Sequence, residues 1–152
     1  MKILLVLAAT LATVPATAAF SQTSPLAGTW QVEYQRGVRN ENGDITVIMG
    51  TAKLSLEQRG DSLVGQFAPE PGDDGRTPPP LQFAGKSRGA SATFHTVSES
   101  RINVNEEIRV VNVSITWELT ASGDALTGTM QRSFEGMEMP SEPTPVKGTR
   151  VR

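Results

Sequence analysis

Apolar residues in this chain recur at every second position, and no segment spaces them at the 3.6-residue period of an amphipathic helix. Alternate side chains of a strand point to opposite faces, so this patterning predicts sheet with one buried and one wet face. Across 28–35, Trp30, Val32 and Tyr34 share one face, and Gln31, Glu33 and Gln35 share the other. Leu54 and Leu56 likewise alternate with Lys53, Ser55 and Glu57. Further strands are expected over 45–58, 63–68, 81–86, 90–98, 104–120, 125–134 and 146–152. Gly, Asp, Asn and Pro clusters punctuate them, as turns require. The polar stretches 36–44, 69–80, 99–103 and 136–145 read as loops.

Eight sequential strands with mostly short turns predict an all-β domain, a single antiparallel up-and-down barrel whose closure removes exposed edges. A two-sheet β-sandwich is the alternative. A membrane barrel needs an apolar outer wall, whereas Lys53, Glu57 and Glu33 fall opposite the apolar positions.

Two long strands switch parity. Ile45, Val47 and Met49 are odd, then Ala52, Leu54 and Leu56 are even; Ile108 and Val110 are even, then Val113, Ile115, Trp117 and Leu119 are odd. One extra residue would bring both sets to one face, so a β-bulge is expected at Gly50-Thr51 and another between Val110 and Val111. Leu56-x-x-x-Gly60-Asp61-x-Leu63-x-Gly65 recurs as Leu119-x-x-x-Gly123-Asp124-x-Leu126-x-Gly128. Each copy reads as a hairpin whose tight turn uses Gly60 or Gly123.

The N-terminus has the form of an export signal. Lys2 precedes an apolar stretch over 3–14, then small residues Ala16, Thr17, Ala18 and Ala19. Residues 1–19 are therefore expected to be a signal peptide, leaving 20–152 as one domain in the periplasm or secreted. The apolar stretch is short for a membrane span and carries Pro15 at its end, so no membrane insertion is expected after cleavage. There is no cysteine, which removes disulfides, thiol nucleophiles and thiolate-bound metal. Acidic residues outnumber basic ones by 16 to 14, and this balance disfavours a nucleic-acid partner.

Gly28-Thr29-Trp30 opens the first strand and Gly148-Thr149-Arg150-Val151-Arg152 ends the last. This pattern resembles the calycin superfamily of lipocalins, fatty-acid-binding proteins and avidins. The resemblance implies a lipocalin-like barrel with Trp30 as its floor, Gly28 opening the strand, and Arg150 or Arg152 stacked on the indole. It departs from lipocalins at 136–145, where glycine and three prolines stand in place of a helix. No helix-turn-helix lid and no avidin-type biotin contacts are present.

Arg132 is the leading candidate site residue. Alternation sets it between Met130 and Phe134 on the inward face, where a guanidinium can grip a carboxylate. The resemblance to fatty-acid-type barrels implies the same role. Its alternative is to reach into water or pair with Glu135. Trp30, Tyr34, Trp117, Met130 and Phe134 are candidate ligand contacts or ordinary core, with Tyr34 near an open end. His95 falls on the outward face, Glu106 and Glu107 on opposite faces, and Glu70, Asp73 and Asp74 in a loop. None forms a catalytic or metal-ligating set, and no metal or cofactor is expected. Three functions remain open. One is a non-enzymatic protein holding a small hydrophobic or acidic ligand. Another is a protein-binding or envelope-structural domain, such as an inhibitor of an exported enzyme, acting through loops 69–80 and 136–145. The third, a barrel isomerase or cyclase, lacks an inward acid or base.

Overall fold

The computed structural model describes residues 23–41, 44–73, 75–104, 107–137 and 142–152. The expected signal peptide, Asp74, Glu106 and part of the 136–145 loop lie outside them. Eight strands form a closed antiparallel barrel in sequence order, β1 (Gly28–Glu41), β2 (Asp44–Arg59), β3 (Ser62–Pro69), β4 (Leu81–Arg88), β5 (Ser91–Val104), β6 (Glu107–Ser122), β7 (Ala125–Phe134) and β8 (Thr144–Arg150). β8 pairs with β1 from Trp30↔Arg150 to Glu33↔Lys147, which closes the ring and removes the sandwich alternative.

The alternating residues do what their period demands. Trp30, Val32, Tyr34, Leu54, Leu56, Phe67, Phe94, Trp117, Leu119, Leu126 and Met130 are buried in one core. Glu33, Lys53 and Glu57 face out and are exposed. The Gly60 and Gly123 hairpins both turn at positive φ, 64° and 61°, where a Cβ would be strained.

One end of the barrel is plugged. Residues 24–27 turn beneath the floor, with Leu26 fully buried and its carbonyl accepting the Trp30 indole N–H at 2.9 Å. Arg150 lies over the Trp30 ring, 4.1 Å from guanidinium carbon to centroid. Its nitrogens donate to the carbonyls of Ala27 (2.7 Å) and Pro25 (2.6 Å), and Asp124 lies 3.6 Å away. Of the two candidate cations it is Arg150 that stacks, while Arg152 pairs with Asp124. Gly28 has to be glycine here, because its φ is 128° and a Cβ would stand 2.5 Å from the Arg150 guanidinium.

Neither expected bulge is present. β2 pairs with β1 with no shift at Gly50-Thr51, and β5–β6 pairing is unbroken from Ser91↔Thr120 to Val104↔Glu107. The parity switch instead leaves Val47, Met49, Ile108 and Val110 exposed on the outer face. Among the described residues the one register shift lies in β1 between Gln35 and Gly37, with Arg36 as the extra residue. Two polar stretches read as loops, 36–44 and 99–103, are largely strand. β8 reaches β1 only as far as Glu33 and β3 reaches β2 only as far as Ala52, so β1 and β2 run on as a two-stranded ribbon. β5 and β6 do the same beyond His95 and Val113. A ribbon outside the closed wall has no core face, so its sequence need not alternate.

Replacing Arg150 with Ala removes the stacked cation and two charge-assisted hydrogen bonds at the closure. The expected loss is about 2–4 kcal/mol of stability, read as a lower urea midpoint at unchanged m-value. Arg150→Lys is expected to recover less than half of it, since an ammonium cannot both stack and fork.

Candidate functional site

The hairpin turns fix which end of the barrel is open. The β1–β2, β3–β4, β5–β6 and β7–β8 connections all lie opposite the Trp30 plug. At that end the barrel encloses an open cavity of about 600 Å³. Its wall is apolar, from Phe67, Leu81, Val113, Ile115, Trp117, Met130 and Phe134, with Pro69 at the end of β3 and Pro78 and Pro79 from the long β3–β4 loop. Tyr34, Arg36 and Arg132 bring polar atoms to it, and Glu99 and Glu142 are exposed residues on its border.

An aromatic chain runs from the cavity wall into the packed core, with Tyr34, Phe67 and Trp117 lining the cavity and Phe83 and Phe94 buried beyond it. Tyr34 meets Phe67 edge-on at 4.9 Å, Phe67 meets Trp117 at 4.8 Å, Trp117 stacks with Phe83 at 6.3 Å, and Phe83 meets Phe94 at 4.9 Å. These spacings are favourable for ring pairs. They separate a filled closed half from a hollow open half.

The sequence-predicted residues divide along that boundary. Tyr34, Trp117, Met130, Arg132 and Phe134 line the cavity together. Trp30 does not; it belongs to the plug with Arg150. Arg132 is half-buried and its Nη1 donates to the Arg36 carbonyl at 3.2 Å. Burial lowers the Arg132 pKa, and nearby Tyr34 works against that shift. Burial pushes the Tyr34 hydroxyl above its ordinary 10.0, against the pull of Arg36 and Arg132. A neutral phenol therefore stands beside two guanidinium groups, one of them partly stripped of water. Such a cluster favours an incoming anion.

In the sequence Arg36 carries no signal beyond its place in the polar stretch 36–44. Its position as the bulged residue of β1 turns it toward the cavity, which is the usual effect of a bulge. Its guanidinium also crosses to the β3–β4 loop, donating to the carbonyls of Glu70 (3.3 Å) and Arg76 (2.9 Å). Gly72 makes room for it, since a Cβ there would lie 2.3 Å from Arg36 Nη1. Parity alone could not have found this residue, because the bulge resets parity where it stands. His95 is exposed and its ring contacts Thr116.

The loop has a second anchor. The Glu70 carboxylate accepts from the Thr51 hydroxyl and from Gln31 (2.8 Å), and the Glu70 amide donates to the Thr51 carbonyl (2.9 Å). The Thr51 and then the Gln31 hydrogen bonds hold the Glu70 pKa below its ordinary 4.5. A carboxyl depressed by folding stabilises the fold above its unfolded pKa and loses that contribution as pH falls through the folded value. Loop anchoring is thus expected to be intact at neutral pH and to weaken below 4.5. Hydrogen exchange at the Glu70, Gly72 and Gly75 amides, corrected for intrinsic rates, should show protection falling in that range while β7 stays protected. Glu70→Gln should show the weakened level already at neutral pH.

No protein-family model and no curated protein matches the chain. Among solved structures, the crystal structure of Rv2717c from M. tuberculosis is similar, with a TM-score of 0.52 and 13% identity over 91% of this chain and 99% of that one. At that identity the likeness speaks to fold alone. Together with the strand order and the closure of β8 on β1, it makes the chain an eight-stranded, calycin-like up-and-down barrel.

Proposed function

We propose that this protein is an exported, non-enzymatic binding protein that holds a small, largely apolar acid in the open half of its barrel. The observation that carries this reading is the cavity of about 600 Å³, apolar along its wall and bordered by Tyr34, Arg36 and Arg132. Ligand sites generally have this size and this mix of apolar wall and few polar groups. Export rests on Lys2, the apolar stretch 3–14 and the small residues after it. Arg132 would pair with the acid, Tyr34 would donate its hydroxyl, and Trp117, Met130 and Phe134 would pack on the apolar body.

Native mass spectrometry of protein prepared without detergent and then exposed to lipid extract should give a stoichiometric small-molecule adduct. Arg132→Met should weaken binding of that acid by about 10–100-fold, the cost of losing a charged hydrogen-bond partner. A persistently clean mass would overturn the reading. Tyr34 supplies a second readout, as it is the chain's sole tyrosine. An anion beside it offsets the pull of Arg36 and Arg132, so its phenolate absorbance should appear at higher pH when the acid is bound. The corresponding uncharged amide should raise it less.

A second reading, docking of an exported protein, draws on the exposed Val47, Met49, Ile108 and Val110 of the two ribbons. It expects Ile108→Ser with Val110→Ser to abolish partner capture and leave ligand binding intact.

A further inference from the structure

The β5–β6 ribbon leaves one edge of the sheet open. β7 pairs with β6 only as far as Phe134↔Val113, with one further backbone hydrogen bond from the Glu135 amide to the Asn112 carbonyl at 2.9 Å. Among the described residues, none pairs with 107–111 on that side. Glu107, Ile108, Arg109 and Val110 are all exposed, Ile108 to 74% and Val110 to 60%. An open edge of this kind is a template for another strand, and natural edges are commonly blocked by proline, lysine or a bulge. Residues 107–111 contain no proline or lysine, and their pairing with β5 is unbroken. Charge blocks an edge too, but only against a strand that brings like charge opposite.

The charges here select a particular strand. Glu107 and Arg109 share one face of β6, and Ile108 and Val110 share the other. Within the chain Glu107 and Arg109 pair at 3.1 Å, but their side chains are 70% and 61% exposed, so the pair contributes little by itself. Directly opposite residues of an antiparallel pair lie on one face. A copy of this strand can therefore add to its own edge only about a two-fold that passes through a residue. A two-fold through Ile108 sets Glu107 against Arg109 of the other copy, twice, and Ile108 against itself. A two-fold through Arg109 opposes like charges, and one through Val110 leaves both charges without a partner. The corresponding edge of β2, 45–50, carries no charge that could fix a register.

We infer that the open edge of β6 pairs with the same edge of a second copy of this chain, antiparallel about a two-fold through Ile108. This goes beyond the proposed binding function and does not depend on it. β6 runs from Glu107, beyond the open end, to Ser122 at the plugged end. Antiparallel pairing therefore sets the two barrels on opposite sides of the two-fold, with their open ends turned toward each other. A ladder this short makes a weak, reversible contact rather than an obligate one.

Sedimentation equilibrium of residues 20–152, carried to about 0.5 mM because the contact is small, should show a monomer–dimer equilibrium. Glu107→Arg and Arg109→Glu should each weaken the dimer by about tenfold or more, since each opposes like charges at both pairs. An equimolar mixture of the two variants should restore it to within about threefold of the wild type, because both positive residues of one chain then face both negative residues of the other. The double exchange in one chain should restore it equally. A loss caused by misfolding would not be rescued by mixing. The wild type gives a reading free of any variant: hydrogen exchange within 107–111 should slow as concentration rises, while exchange at the Val47 and Met49 amides of the β1–β2 ribbon stays constant. A wild-type monomer at every concentration would overturn the inference, as would a dimer indifferent to either reversal or a mixture that stays monomeric. None of these outcomes bears on acid binding in the cavity, which is read separately.

Discussion

The contact between the first strand and the last governs the whole barrel. β1 and β8 share only the pairs from Trp30↔Arg150 to Glu33↔Lys147, so closure depends on a short ladder. Arg150 reinforces it by lying on Trp30 and reaching under the floor to Ala27 and Pro25. One guanidinium thus joins the last strand, the first strand and the N-terminal turn. With that end sealed by a packed plug, any hollow has to lie at the other end.

That polarity sets the electrostatics of the cavity. The aromatic chain from Tyr34 through Phe67 and Trp117 to Phe83 and Phe94 joins the cavity wall to the low-dielectric core. Tyr34, at one end of that chain, and Arg132 are both displaced toward their neutral forms by burial, and each moderates the other. An anion entering there would restore what desolvation has taken from the guanidinium. The barrel wall supplies the rigidity: Tyr34, Trp117 and Arg132 sit on strands paired on both sides or within two residues of such pairing. A site built on strands holds its geometry better than one built on loops.

Much of the barrel was legible in the pattern of residues, because a closed wall imposes period two wherever it has a core face. β7 begins and ends at Ala125 and Phe134, as alternation alone indicated, and its Met130, Arg132 and Phe134 all reach the cavity. The ribbons were illegible for the same physical reason. With no core behind them, Glu99 and Arg101 are free to be polar, and Val47 and Ile108 are free to be apolar on the outside. Reading those apolar residues as inward forced bulges into β2 and β6, while the real bulge sat unannounced at Arg36. The open edge of β6 could not be read either. Whether a strand has a neighbour on each side depends on where the adjacent strand ends, and that is set by register.

Arg36 belongs at once to the cavity border and to the β3–β4 loop, whose carbonyls at Glu70 and Arg76 it holds. Two equilibria therefore share one side chain. Any occupant that draws on this guanidinium changes its hold on the loop, and any change in the loop alters what the guanidinium can offer an occupant. Linkage makes the two effects equal in free energy. Filling the barrel would thus be coupled to the fastening of its proline-rich rim, through a residue that one inserted position in β1 has put in reach of both.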